Sequence, residues 1–396
     1  MPRPVAIAVF GDSVVESATF PGFLRYGLIP ELRTRLARTP GLVLGGEGFV
    51  PAYPLRWTFH GGVSPGNGPP GGSGWLVSGY GSRVPGHDGL SGYSAITRSP
   101  RATATTAIDA PYVGVLFNRS SASGVFTVTA GRKTFTIDAR GPGPPTPAER
   151  WIAVPSSART VTVHGPTSGV LTFDGVIVRG RIPAGRTGVE VENLGHSGHY
   201  LATDSSPRNL VAIRAQRFGI SVFMASYKRE LDAASGDPAA SENAYDTELQ
   251  ARVRIARATG GACLIAAPSP IPVPASTTSG FDAIDRRVAA AEGCTYTTAL
   301  SELWNPATAV QTGMTIVDGI HPAAAGYRLM AAALGPLLAN LVHGRAGAGA
   351  GAGARAGAGG LPTAAAGEAR IARDDVASAL TGQWPTVLVR APGFGR

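Results

Sequence analysis

A change of residue pattern along the chain is the feature that most constrains the fold. Between residues 94 and 182, short runs such as GVFTVTAG, KTFTIDARG and RTVTVHG alternate β-branched and polar residues, and turn residues separate the runs. This spacing is typical of an antiparallel sandwich or jelly roll. On both sides of this block, short apolar runs instead alternate with stretches of helical periodicity. The sequence therefore predicts an α/β domain that an all-β domain interrupts.

Outside the β-rich block, the strand and helix patterns predict an α/β fold with three layers, in which helices cover both faces of a parallel sheet. Strands are predicted at 4–10, 41–54, 219–226 and 262–270, and helices at 22–38, 241–260, 281–293 and 321–342. Ser241 is the predicted cap of its helix.

The composition along the chain gives six predicted segments. These are a first α/β part (1–60), a Gly/Pro-rich loop (61–93), the inserted β-sandwich (94–185), a second α/β part (186–343), a Gly/Ala linker (344–360) and a tail (361–396). The tail is too short for a core of its own, so we expect it to be disordered or to dock on a partner.

The charge of the chain argues against a nucleic-acid partner. The formal net charge is +9, and only Lys133 and Lys228 among its basic residues are lysines. The arginines are scattered, without a basic helix or interleaved aromatic residues, so DNA or RNA binding is not expected. Weak attraction to an acidic polysaccharide is compatible with this charge.

Cysteines and apolar runs bear on the compartment. Cys263 and Cys294 lack partners at metal-ligand spacing, and the sequence favours two buried free thiols, with a single disulfide as the alternative. No apolar run is expected to span a membrane. The first apolar run passes directly into Gly11, so we expect no signal peptide. A virion-associated or extracellular site of action is the leading hypothesis, and the cytoplasm is the alternative.

A serine follows the first predicted strand on a sharp turn. The run AIAVF ends in Gly11-Asp12-Ser13, and a helix-like stretch follows. A serine hydroxyl becomes a nucleophile when a base lies beside it and an acid orients that base. Asp318 and His321, in the segment VDGIHPAAAGY, precede the last long helix. Since the carboxyl ends of parallel strands share one edge of the sheet, His321 is expected to face Ser13.

These motifs, in this order and context, resemble those of the SGNH (GDSL-type) serine hydrolases. The resemblance implies that Ser13 is the nucleophile, His321 the base and Asp318 its orienting acid, with no metal or cofactor. Some polysaccharide O-acetylesterases of this family carry a β-rich insert at the corresponding place. The structural alternatives are that Gly-Asp-Ser is an ordinary turn and that His321 only caps the following helix.

The oxyanion site that the resemblance implies is incomplete. The segment ENLGHSG resembles the second family block, so the N–H groups of Ser13 and Gly195 are the expected donors. The third block normally supplies an asparagine, but here Lys228 or Arg229 stands in its place. A cation can stabilise an oxyanion, whereas losing one donor costs about 10²–10³ in rate.

Five further residues are candidates for contact with substrate, each against a simpler structural explanation. Asp12 is more simply a turn-stabilising acid. Asn193 and His196 lie beside the second block, and the simpler explanation is that they are surface residues that do not contact substrate. Trp57 and Trp75 lie in or near the Gly-rich loop and are candidates for stacking on a sugar.

Together these features predict a serine esterase that removes a short acyl group, such as acetyl, from a carbohydrate or a cell-envelope polysaccharide. The expected partner is an O-acylated glycan. One alternative is a glycan-binding or structural protein, such as a phage tail component, with a degenerate esterase site. A second alternative is a lipid or arylester hydrolase.

Overall fold

The protein combines a parallel sheet, helices on both of its faces, and two mainly antiparallel sheets, which confirms the predicted α/β class. The computed structural model describes residues 3–16, 27–54, 56–65, 74–78, 89–196, 207–225, 227, 237–272, 275–316 and 318–351.

The parallel sheet has six strands in the order β18, β17, β16, β1, β15, β2, and all of its pairings are parallel. Its strands are β1 (Val5–Gly11), β2 (Leu42–Leu44), β15 (Thr187–Gly195), β16 (Ile220–Phe223), β17 (Ala262–Ala266) and β18 (Thr295–Thr297). Gly11 and Gly195 are register partners at the carboxyl ends of β1 and β15. The turn after β1 therefore opens at the sheet edge where parallel folds bind ligands.

Helices pack on both faces of this sheet because the side chains of a strand alternate between its two faces. Ile7 and Val9 of β1 belong to one buried cluster, and Ala8 and Phe10 belong to another. The first cluster includes residues of α2 (Leu28–Ala37) and α6 (Ala324–Gly351), and the second includes residues of α3 (Pro207–Gln216), α4 (Pro238–Ala258) and α5 (Ala275–Glu292).

The start of α4 differs from the prediction. Asp237 is the N-cap, and its carboxylate accepts from the N–H groups of Ala239 and Ala240. Pro238 occupies the first helical position, where its missing N–H has no cost. Ser241 is instead buried inside the helix.

Two further sheets form what we call the antiparallel unit, residues 48–179. The first contains β3 (Gly48–Pro51), β5 (Val63–Pro65), β6 (Trp75–Ser78), β7 (Ser94–Thr97), β9 (Tyr112–Arg119), β12 (Thr146–Ala153) and β14 (Leu171–Arg179). The second contains β4 (Thr58–His60), β8 (Thr103–Ala107), β10 (Val125–Ala130), β11 (Lys133–Asp138) and β13 (Thr160–His164). One hydrophobic cluster draws on both sheets.

The antiparallel unit begins earlier in the chain than the predicted boundary at residue 94. β3 pairs with β14, and β4 pairs with β8, although the sequence pattern places both strands in the first α/β part. The segment 61–93 is not loop throughout, because β5 and β6 lie in it. Pairing with distant strands provides the hydrogen bonds that these short segments lack locally.

The prediction of two buried free thiols is wrong. Cys263 of β17 and Cys294, just before β18, form a disulfide, which is the alternative that the sequence left open. The bond joins two neighbouring strands at the edge of the sheet.

The last helix is longer than predicted. α6 continues to Gly351, so the first residues of the predicted linker are helical, and the rest of the linker and the tail lie outside the described residues. Contrary to expectation, Ala324–Arg345 is long and apolar enough to cross a membrane by length and composition. However, 61% of its most apolar window is buried in the fold, and the core helix of a globular domain passes the same test.

Candidate active site

A short helix directly after β1 positions Ser13. The Asp12 carboxylate accepts from the N–H of Val14 at 2.9 Å, and the Asp12 carbonyl accepts from the N–H groups of Val15 and Glu16. Asp12 is therefore a buried residue that shapes the turn. Ser13 is the first residue of α1 (Ser13–Glu16), so its own N–H has no acceptor within the helix.

His321 reaches Ser13 from the loop before α6. Ser13 Oγ and His321 Nε2 are 2.8 Å apart, although 308 residues separate them in the chain. His321 Nδ1 lies 2.6 Å from one carboxylate oxygen of Asp318. The other oxygen accepts from the N–H groups of Ile320 and His321, so it holds the loop itself. The structure thus brings together the three residues that the sequence motifs single out.

The surroundings of Asp318 favour its charged form. Partial burial acts to raise the pKa of Asp318, but hydrogen bonds from the His321 ring and from the N–H groups of Ile320 and His321 outweigh it. The net result is a pKa below the usual value. A carboxylate at this place keeps the proton of His321 on Nδ1, which leaves Nε2 as the acceptor that faces Ser13 Oγ.

The structure does not support Gly195 as an oxyanion donor. Its N–H donates to the side-chain oxygen of Asn193 at 3.1 Å, so this group is already engaged. The Asn193 amide in turn donates to the carbonyl of Glu16 at 3.1 Å, which makes Asn193 a residue that braces α1. Lys228 and Arg229 lie outside the described residues.

Both tryptophans proposed for sugar stacking are buried in the core of the antiparallel unit. Trp57 is 3% exposed and packs edge-on against Phe173, with ring centroids 4.9 Å apart. Trp75 is 2% exposed, and its indole N–H donates to the carbonyl of Thr103. Neither ring presents a face to a ligand, so both proposals are wrong. Gly-rich sequence around an aromatic residue does not indicate exposure when the segment pairs into a sheet.

His196 is also buried rather than at the surface. Its main-chain N–H donates to the carbonyl of Gly11, and its ring centroid lies 4.0 Å from that of Tyr93. The Tyr93 hydroxyl donates to the Glu16 carboxylate at 2.9 Å. Sequence reasoning missed Tyr93 and Glu16, since nothing in the local sequence indicates that residues 77 positions apart meet.

Metal ligation has no candidate among the residues that the structure describes. In those ranges, no group of three or more His, Cys, Asp or Glu side chains is arranged to hold an ion.

Comparison with known proteins finds similar solved structures. No protein-family model and no curated protein matches the sequence. A family two carbohydrate esterase from Cellvibrio japonicus is 10% identical over 72% of this chain and 99% of its own, with a TM-score of 0.30. Axe2, an acetylxylan esterase from Geobacillus stearothermophilus, is 17% identical over 39% of this chain and 73% of its own, with a TM-score of 0.30.

A lipase/acylhydrolase from Enterococcus faecalis is 15% identical over 39% of this chain and 77% of its own, with a TM-score of 0.32. These structural neighbours are SGNH-type hydrolases and carbohydrate esterases, the group that the sequence motifs resemble. The geometry of Ser13, His321 and Asp318, and not these similarities, indicates what the site can do.

Proposed function

We propose that the protein is a serine ester hydrolase and that Ser13, His321 and Asp318 carry the reaction. The contact that supports this most directly is the unbroken chain from Ser13 Oγ to His321 Nε2 and from His321 Nδ1 to Asp318, at 2.8 Å and 2.6 Å. A serine, a base and an orienting acid in this order are what acyl transfer requires.

The proposed reaction has two steps. Ser13 Oγ forms a bond to the ester carbonyl carbon while its proton moves to His321 Nε2. The C–O bond to the alcohol then breaks, and the alcohol oxygen takes that proton. In the second step a water loses a proton to His321 Nε2 and attacks the acyl carbon. The bond between that carbon and Ser13 Oγ then breaks, Oγ takes the proton back from His321, and the acid leaves. Asp318 stabilises the imidazolium in both steps and stays ionised.

The N–H of Ser13 is the proposed oxyanion donor among the described residues. It lies at the start of α1 without an intrahelical acceptor, so it can donate to an oxyanion. Lys228 or Arg229 remains our proposal for a second donor, since a cation can stabilise the developing charge.

We further propose that the parallel sheet with its two helix layers is an SGNH-type hydrolase domain and that the antiparallel unit is an inserted β-sandwich. On this proposal the substrate is an O-acetylated glycan of a cell envelope. Ser13 is 4% exposed, so the acyl group must reach a nucleophile that lies below the surface. The disulfide is typical of proteins that act in oxidising compartments, which favours an extracellular site of action.

A glycan-binding or structural protein with a degenerate site is the second candidate. The observation that favours it is the engagement of the Gly195 N–H by Asn193, together with the replaced third block, because both reduce the set of oxyanion donors. A lipid or arylester substrate is the other alternative within the enzyme class.

The test is acetate release from O-acetylated xylan and peptidoglycan, and from p-nitrophenyl acetate, with the wild type and Ser13→Ala. Ser301→Ala is the matched control, because this exposed hydroxyl bonds only the nearby Thr298 carbonyl among the described contacts. We expect release by the wild type and by Ser301→Ala, and a loss of at least about 10³-fold in Ser13→Ala.

Release that survives in Ser13→Ala would exclude the proposed nucleophile. No release from any of the three substrates, with a wild type that still binds a glycan, would favour the binding protein. Release from p-nitrophenyl acetate and lipid esters alone would favour the arylester or lipid hydrolase.

A further inference from the structure

The helix that carries Ser13 depends on contacts from outside itself. α1 has only four residues, and a helix of one turn is not stable on its own. Its first turn is held by Asp12, as described above. Among the described contacts, its last residue, Glu16, accepts from Tyr93 and Asn193, and both hydrogen bonds are buried or partly buried.

Those two contacts come from different units of the fold. Asn193 of β15 donates to the main-chain carbonyl of Glu16 at 3.1 Å. Tyr93, one residue before β7 of the antiparallel unit, donates its hydroxyl to the Glu16 carboxylate at 2.9 Å. The hydrogen bond from Tyr93 therefore links the antiparallel unit to α1, the helix that carries Ser13.

Tyr93 is itself fixed in position. It is 1% exposed, and its ring lies between Tyr53, at 4.7 Å between centroids, and His196, at 4.0 Å. The main-chain N–H of His196 donates to the carbonyl of Gly11, two residues before Ser13. Tyr93 thus bonds α1 directly through Glu16, and it packs on the ring of a residue whose main chain pairs with Gly11.

The segment that leads to Tyr93 is also tied to the parallel-sheet unit. The amide of Asn209, in α3, donates to the carbonyls of Gly89 and Leu90 at 2.8 Å and 3.1 Å. Asn209 is buried, so water does not compete with these bonds. A rigid segment with a buried aromatic residue at its end is suited to hold a neighbouring helix in place.

We propose that Tyr93 is a positioning residue for Ser13, which makes the antiparallel unit a structural part of the active site. The inference rests on the proposed ester hydrolysis. Through Glu16, Tyr93 fixes α1 so that Ser13 Oγ stays within hydrogen-bond distance of His321. Displacement of a reacting group by about 1 Å costs on the order of 10²-fold in rate.

The test compares Tyr93→Phe with the wild type, because this change removes the hydroxyl and keeps the ring. Tyr245→Phe is the matched control: its buried hydroxyl also donates to a buried carboxylate, that of Asp285, at 2.7 Å. We expect kcat of Tyr93→Phe to fall by about 10–100-fold with KM within twofold, and Tyr245→Phe to keep the kcat of the wild type.

A second readout does not depend on activity. Amide hydrogen exchange at Val14, Val15 and Glu16 is expected to accelerate in Tyr93→Phe and to stay at the wild-type rate in Tyr245→Phe. Glu16→Gln keeps an oxygen that accepts from Tyr93 and is expected to retain most of the activity, whereas Glu16→Met is expected to reproduce the loss. Glu16→Met also replaces Tyr93→Phe if the latter fails to fold.

The outcomes separate the two proposals. Unchanged exchange at α1 in Tyr93→Phe, or an equal loss of kcat in Tyr245→Phe, would overturn the positioning role. If wild type and Ser13→Ala are equally inactive, the proposed hydrolysis fails, and the exchange measurement alone decides whether Tyr93 holds α1. Suppose instead that the wild type is active, that Ser13→Ala is inactive, and that Tyr93→Phe keeps the kcat and the amide exchange of the wild type. That result would overturn the positioning role of Tyr93 and leave the proposed hydrolysis intact.

Discussion

The two carboxylate oxygens of Asp318 make different contacts, so substitution of Asp318 tests the proposed mechanism at a single residue. One oxygen faces His321 Nδ1 at 2.6 Å, and the other accepts two main-chain N–H groups. In Asp318→Asn an amide nitrogen must replace one oxygen. If it faces the ring, it favours the wrong tautomer of His321, so we expect kcat to fall by about 10³-fold or more with KM little changed.

The matched control for this substitution is Asp237→Asn. Asp237 also accepts main-chain N–H groups, at the exposed start of α4, where asparagine caps a helix as well as aspartate does. Steady-state kinetics of both variants check the expectation. Wild-type kcat in Asp318→Asn would remove Asp318 from the mechanism.

Gly195 is required by close approach of two backbones, which is a different role from the one its sequence suggests. A Cβ atom at this position would lie 2.3 Å from the Glu16 nitrogen and 2.9 Å from the Glu16 Cα. Backbone atoms cannot yield as a flexible side chain does. Gly195→Ala is therefore expected to displace α1, to lower kcat at least about 10-fold, and to destabilise the fold by about 1–3 kcal/mol.

Gly344→Ala is the control for that change, because nothing lies within 4 Å of a Cβ atom there. Kinetics and chemical denaturation of both variants check the prediction. Equal activity of Gly195→Ala and the wild type would mean that the contact with α1 is not needed for positioning Ser13.

The residues of the site differ in how far the sequence predicts them. Ser13, Asp318 and His321 lie in local motifs, and the shared edge of a parallel sheet brings those motifs together. Trp57 is different, because its burial depends on pairing between strands that are distant in sequence. The contact of Tyr93 with Glu16 likewise depends on how two units pack, which no local pattern encodes.

At the scale of elements, the strand and helix types were largely predictable, whereas their ends were not. Helix α4 was expected from Ser241, yet Asp237 and Pro238 start it earlier, because an Asp-Pro pair provides both a cap and a preset φ angle. β5 and β6 lie in a segment rich in Gly and Pro that resembles loop. These strands form because their partners supply hydrogen bonds and a hydrophobic core.

The disulfide between β17 and the residue before β18 covalently links two neighbouring elements of the sheet. Cys263 and Cys294 are 31 residues apart, and closing a loop of that length stabilises the fold by roughly 3–4 kcal/mol in the chain-entropy model. Cys263 is the second residue of β17, towards the edge of the sheet opposite Ser13. Cys263→Ala/Cys294→Ala is therefore expected to lower the unfolding free energy by about that amount with kcat unchanged.

Thermal unfolding with and without reductant checks this expectation. Dithiothreitol should lower the Tm of the wild type towards that of the double variant and leave the double variant itself unaffected. If reductant lowers both equally, the stabilisation comes from another source.

At the scale of the whole molecule, the antiparallel unit meets the parallel sheet along β15, where two buried glutamates lie. Arg179 donates to both carboxylate oxygens of Glu190, at 2.7 Å and 2.9 Å, and its guanidinium lies 4.3 Å from the centroid of the Trp151 ring. The carboxylate of Glu192 accepts from the N–H of Phe49 in β3. The junction between the two units therefore contains ionisable groups that are removed from water, and burying a charge is costly unless it is paired.

The state of Glu192 makes this junction sensitive to pH. Burial, together with the neighbouring charge of Glu190, raises the pKa of Glu192 to about 8, above its ordinary value of 4.5. Between pH 4.5 and about 8 the folded protein therefore holds a proton that the unfolded chain has released, so the contribution of Glu192 to stability is fully present below pH 4.5 and declines as the pH rises to about 8. Glu192→Gln has no proton to lose and can still accept from the Phe49 N–H, so its unfolding free energy should not follow this decline.

Denaturation from pH 5 to 8.5 measures the difference between the wild type and Glu192→Gln. The control is Glu292→Gln, because the carboxylate of Glu292 pairs with the exposed Arg254. Parallel pH profiles for the wild type and Glu192→Gln would show that the carboxyl of Glu192 is ionised in the fold and that the junction contains a buried charge rather than a neutral acid.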